Sequence, residues 1–147
     1  MNKYCLIGAR GGSKSVKNKN IQTVNGRPLL TICIEKALKC DIYNKIIISS
    51  DSALYENFVP RNSKVEFILR PSDIARDTST EIEYITHIIK TKNLEKEDLV
   101  SRMQCTSPFQ SVVSMKKAVT LLEKSLMKFD SVQLISQASP PIHKAMR

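Results

Sequence analysis

A short apolar run, Tyr4-Cys5-Leu6-Ile7, leads directly into Gly8-Ala9-Arg10-Gly11-Gly12-Ser13-Lys14, and this junction limits the folds open to the chain. An apolar run bounded by glycines reads as a strand buried in a sheet. No acid appears from Tyr4 to Ile34, while the same stretch carries Arg10, Lys14, Lys17, Lys19 and Arg27; the first carboxylate is Glu35. A glycine-rich loop leaves backbone N–H groups free to point at an anion, and its missing side chains allow close approach. Cations in the same loop add charge. The chemistry this pattern suggests is triphosphate binding at the carboxyl end of a first strand.

The excess of 23 Lys+Arg over 14 Asp+Glu gives a formal net charge of +9, which raises the question of nucleic acid. Aromatic residues are only 5% of the chain, Trp is absent, and no basic run is interleaved with aromatics, so stacking on bases lacks its usual side chains. The clustering of cations ahead of Glu35 favours a concave site for a small polyanion, with no nucleic acid and no membrane as partner. Cys5, Cys33, Cys40 and Cys105 are irregularly spaced, form no CxxC, and have neither His87 nor His143 close by. Neither a zinc site nor a disulfide framework is expected. With no signal peptide and no apolar stretch near 18 residues, the expected location is the cytoplasm.

Apolar patterning alternates between strand and helix. Strands are expected at Lys3–Ile7, Lys45–Ser50, Val65–Leu69, Asp98–Met103 and Ser131–Ile135. Asn25-Gly26-Arg27-Pro28 reads as a turn, with Pro28 in the first turn of a helix carrying Leu30, Cys33, Ile34, Ala37 and Leu38 on one face. A second helix is expected from about Thr80, capped by Thr78 or Ser79, with Ile82, Ile85 and Ile89 inward. A third is capped by Ser111 and carries Met115, Ala118, Val119, Leu122 and Leu126 along one side. This order is that of a three-layer α/β fold with a mainly parallel sheet and Rossmann-like nucleotide-binding topology, in one domain. The polar segments Gly8–Asn20, Ser49–Ser52, Arg70–Ser79 and Gln104–Pro108 each follow an expected strand, so all four converge at one sheet edge.

Gly8 to Ser15 is one residue short of the P-loop pattern GxxxxGK[ST], with Ser13 in place of the last glycine. In a P-loop a helix starts at the lysine; here Ser15-Val16-Lys17-Asn18-Lys19-Asn20 has no apolar stripe, so the loop continues as loop. A surface turn whose glycines only relieve strain would leave the acid-free stretch without a reason. Lys17 reads as a solvated loop residue, Asp51 as a turn cap after the second strand, and both histidines as structural.

Ala9-Arg10-Gly11-Gly12-Ser13-Lys14, then Lys19-Asn20-Ile21, then Gly26-Arg27-Pro28-Leu29, resembles the N-terminal signature of the sugar-acid cytidylyltransferases, in particular the CMP-N-acylneuraminate synthetases. Ile46–Ser52, Leu69–Ser79 and Met103–Gln110 are similar to later motifs of the same family, in the same order. The resemblance implies a nucleotide-diphospho-sugar transferase type of fold and transfer of CMP from CTP to a nonulosonic sugar acid, releasing pyrophosphate. By matched position, it implies that Arg10 and Lys19 contact the triphosphate and carry catalysis. Ala9, Gly11, Gly12, Ser13, Lys14 and Asn20 would form the nucleotide loop. Arg70 with Asp77, Thr78 and Ser79 would lie at the cytosine and ribose, and Gln104, Thr106 and Ser107 would face the sugar acid. It further implies Mg²⁺ and a homodimer, with the metal-holding aspartates and the dimer segment expected beyond Arg147. The tail from Ser139 accordingly reads as a chain cut in mid-course. The chain departs from the family's pattern at Gly8, where a proline is usual, at Cys105, which replaces a proline, and at Gln110, which replaces an arginine.

Overall fold

In the computed structural model, residues 1–12 and 16–136 are described. β1 (Lys3–Gly8) runs parallel to β4 (Lys45–Ser50) on one side and to β6 (Leu99–Met103) on the other, and β4 pairs in turn with β5 (Val65–Leu69). The strand order is β5-β4-β1-β6. Ile7 sits opposite both Ile48 and Met103, which fixes the register at the carboxyl ends of β4, β1 and β6.

Strand alternation sends successive side chains to opposite faces. Cys5, Ile7, Ile46 and Ile48 meet α1 (Leu29–Cys40) and α3 (Val112–Ser125) on one side. Leu6, Ile47 and Ile68 meet α2 (Glu81–Lys92) on the other. The result is the expected three-layer arrangement. Ile46 through Ser50 are all buried, as the continuous β-branched run requires, and each fully covered isoleucine contributes on the order of 2 kcal/mol. On α1, Leu30, Cys33, Ile34 and Ala37 are buried as their spacing implies.

Several expectations are corrected. Asn25-Gly26 is more than a turn into a helix: it links β2 (Thr23–Val24) and β3 (Arg27–Pro28) as an antiparallel hairpin, with positive φ at both central residues. That is the backbone of a type I′ turn, for which Asn-Gly is favoured. Pro28 is therefore the residue before α1, not inside it. Thr80, rather than Thr78 or Ser79, caps α2, through a capping box with Glu83. That start sets the helix's phase so that Tyr84 and Ile88 are buried, whereas Ile82 is 71% exposed and Ile89 lies at the surface. Ser131–Ile135 has strand-forming residues but no ladder partner; Val132 and Leu134 lie along the groove beside the outer edge of β6 without pairing to it. On α3, Ser111 caps as expected, accepting from the Ser114 N–H, while Leu126 falls just past the helix end and is exposed. His143 lies outside the described residues.

Candidate functional site

Going outward from β1 the chain steps first to β4 and β5, and only then crosses to β6 on β1's other flank. The loops after β1 and β6 thus diverge at a topological switch point, where open α/β sheets hold their ligands. A cavity of about 300 Å³ lies there, lined from the first loop by Arg10, Lys19 and Asn20, from the third by Arg70, Asp77 and Ser79, and from the last by Gln104 and Thr106.

The first loop is shaped from below. The Ala9 N–H donates to the Ser49 carbonyl (2.9 Å), and the Gly11 N–H to Asp51 Oδ1 (2.8 Å). Asp51 is thus a cap on the loop, as its sequence context suggests, though the donor comes from another segment. Asn18, at φ 52°, turns the chain into a single helical turn, Lys19–Ile21, which seats the buried Asn20 so that its Nδ2 donates to the Arg10 carbonyl (3.0 Å). This holds Lys19 and Arg10 on one hollow. Arg10 itself reaches across to Asp77 Oδ1 (2.8 Å) and the Ala75 carbonyl (3.4 Å), tying the first loop to the third.

Arg70 is buried, at 7% exposure. Its Nε donates to Ser49 Oγ (3.1 Å), its Nη2 to the Ser49 carbonyl (3.0 Å), and its guanidinium lies 4.6 Å above the centre of the Tyr84 ring. Burial lowers its pKa and the neighbouring Tyr84 and Asp51 oppose that, yet a guanidinium stays charged throughout the useful pH range. Burial likewise pushes the Tyr84 hydroxyl up to about 12. Among the described residues, Lys19, Arg70 and Arg76 line this cavity without an ion pair. Arg10 is paired with Asp77, and the other acid at the rim, Glu81, pairs with Arg102 and accepts from Gln104 Nε2 (3.3 Å). The site carries an uncompensated positive charge, which is what a phosphorylated ligand needs.

Not every expected residue reaches the cavity. Ala9 is fully buried beneath it, Gly11 and Gly12 lie in the loop without lining it, and Thr78 is exposed beside it. Ser107 faces the separate groove along β6. Ser13 and Lys14 lie outside the described residues. Lys17 is exposed, in keeping with a solvated loop residue. The sequence reading missed Tyr84, Thr80 and Glu81 at this site. The Thr80-x-x-Glu83 box was the available signal, since it fixes where α2 starts and hence which residues its first turn presents. Cys105 also lines the cavity but is buried, and its contact with Cys33, together with burial, drives the Cys33 thiol upward. A buried thiol raised in this way is inert as a nucleophile. Among the described residues no group of three or more His, Cys, Asp or Glu is placed to hold a metal ion. No helix among them is long and apolar enough to cross a membrane.

A family profile described as Cytidylyltransferase matches residues 4–140. The chain is 31% identical over 136 residues to an N-acylneuraminate cytidylyltransferase of Escherichia coli, covering 92% of this chain and 32% of that protein. It is 28% identical over 132 residues to a pseudaminic acid cytidylyltransferase of Campylobacter jejuni, covering 88% and 56%. The chain thus spans about a third of the first of these relatives and just over half of the second. Among solved structures, a CMP:2-keto-3-deoxy-manno-octonic acid synthetase complexed with CTP superposes with a TM-score of 0.69 at 15% identity, over 86% of this chain and 49% of that one.

Proposed function

Because the chain belongs to the cytidylyltransferase family, we propose that it transfers CMP from CTP to a nonulosonic sugar acid with release of pyrophosphate. The observation that carries this reading is the shared cavity: Arg10 and Lys19, nine residues apart in a glycine-rich loop, converge on one hollow with the buried cation Arg70 and with Gln104 and Thr106 of the loop after β6. A hydroxyl of the acid attacks the α-phosphorus, the new P–O bond forms as the bond to the oxygen bridging to the β-phosphate breaks, the hydroxyl's proton passes to solvent, and pyrophosphate departs. Arg10 exchanges the Asp77 carboxylate for a phosphate oxygen, and Lys19 neutralises charge on the same phosphates. A cation about 4 Å from such an oxygen is worth roughly 4 kcal/mol at an effective dielectric near 20. The protein's work is positioning and charge stabilisation. Arg70 lies on the nucleoside side, and Gln104 and Thr106 meet the acid.

Mg²⁺ would screen the triphosphate, but the described carboxylates do not form a cage for it. Asp51 is engaged by Gly11, Asp77 by Arg10 and Glu81 by Arg102. The steps above therefore use this chain's own groups. A cytoplasmic setting and a homodimer are part of the same proposal; four buried free thiols suit a reducing compartment.

For the acceptor we favour N-acetylneuraminate, with pseudaminate second, since relatives of both descriptions match most of the chain. The test is incubation with CTP, Mg²⁺ and each acid in turn, reading pyrophosphate and CMP-sugar. Product with one acid supports the reading. CTP-dependent thermal stabilisation without product from any acid refutes the transfer and leaves a nucleotide-binding protein.

A further inference from the structure

Arg70 is a cation only 7% exposed at the wall of the cavity, and no described carboxylate forms an ion pair with it. A guanidinium in that state is costly unless its donors and its faces are occupied. Two donors are taken by Ser49, whose side chain is wholly buried and whose carbonyl also receives the Ala9 N–H. The flat face is taken by Tyr84, 5% exposed, at 4.6 Å. Tyr84 in turn is wedged against β1. A Cβ built on Gly8 would stand 2.9 Å from Tyr84 Cζ and 3.2 Å from its hydroxyl oxygen, closer than carbon atoms pack. Gly8 is in regular strand, so its smallness serves this contact and not backbone freedom.

We propose that Ser49 and Tyr84 are positioning residues that fix the Arg70 guanidinium for nucleotide recognition, and that position 8 is glycine because the Tyr84 ring occupies the space of a side chain there. This rests on the cavity being the CTP site. A ring beneath a desolvated guanidinium both stabilises the charge and stops the side chain from rotating out of the wall. The two Ser49 bonds set its in-plane direction, leaving the remaining Nη1 donors for the ligand.

The test is a cycle of variants in the whole chain, with CTP as the probe and calorimetric affinity as the readout. Tyr84→Leu weakens CTP roughly tenfold, within the range of desolvated cation–π contacts. Tyr84→Phe, which keeps the ring, recovers most of that loss. Arg70→Ala weakens CTP as well, and adding Tyr84→Leu to it costs nothing more, because Tyr84 acts through Arg70. Gly8→Ala reproduces the Tyr84→Leu loss. Additive losses of Tyr84→Leu and Arg70→Ala, or a Tyr84→Leu affinity equal to the parent's, overturn the proposal. A parent that binds no CTP refutes the cytidylyltransferase reading instead. The Arg70 geometry is then judged by NMR of the unliganded chain: the Arg70 Nε–H exchanges slowly and carries a ring-current shift that vanishes in Tyr84→Leu. Fast exchange in the parent, or a shift untouched by the substitution, overturns the positioning role outright.

Discussion

Removing the Asp51 carboxylate should loosen the loop after β1 by a measurable amount. Asp51 Oδ1 accepts from the Gly11 N–H at 2.8 Å in a half-buried setting. Hydrogen bonds to charged groups contribute about 1.5–3 kcal/mol net, and the partial exposure places this one at about 1.5 kcal/mol. In a domain of this size that loss lowers the Tm by roughly 5 °C. Asp51→Asn keeps an oxygen for Gly11 but not the charge, so it should lose about half as much. Scanning calorimetry of parent, Asp51→Ala and Asp51→Asn gives the three midpoints, and a CTP titration of each shows whether the loosened loop also binds more weakly. If Asp51→Ala melts with the parent yet loses only its Mg²⁺ response, Asp51 is a metal ligand and the capping argument fails.

Arg10→Ala should weaken CTP binding, so a calorimetric affinity equal to the parent's would remove Arg10 from the site; Lys19→Ala should lower turnover at least tenfold in an active protein, and unchanged kinetics would do the same for Lys19. Thr80→Ala breaks the capping box of α2 and should cost about 1 kcal/mol in urea unfolding, with Glu83→Ala costing a similar amount and the pair less than the sum. Asp98 accepts backbone N–H groups from Asn2 (2.6 Å) and Glu95 (3.0 Å), which hold its pKa below the usual carboxylate value. Its stabilisation is complete above the unfolded value near 3.9 and is lost as pH falls through the lowered folded value, so Asp98→Asn should show a flatter acid limb below about pH 4 in thermal melts.

Much of this arrangement could be read from the residues. Lys45–Ser50 stands where its β-branched run placed it, Val65–Leu69 has the expected bounds, and β1 and β6 differ from theirs by one residue. Because each chemistry-bearing segment follows a strand of a parallel sheet, convergence at one edge was legible too. The phase of α2 was not. Ile82, Tyr84, Ile85, Ile88 and Ile89 put apolar groups on two helix faces, and periodicity cannot choose between them. The capping box sets where the helix starts, and packing on Leu6 and Ile47 then selects Tyr84 and Ile88. Ser131–Ile135 failed for a different reason: propensity describes a residue's fitness for a sheet, while a strand exists only with a neighbour to bond. Distances across the fold, such as the Ser49–Arg70–Tyr84 stack, leave no mark in linear spacing.

The close packing of Gly8 against Tyr84 has an evolutionary corollary. A lineage cannot acquire proline at the end of the first strand while keeping that ring; one mutation must await the other, and an intermediate carrying both would be under strain. Relatives with proline there should therefore bear a slimmer residue at the position of Tyr84 and steady their guanidinium by some other contact.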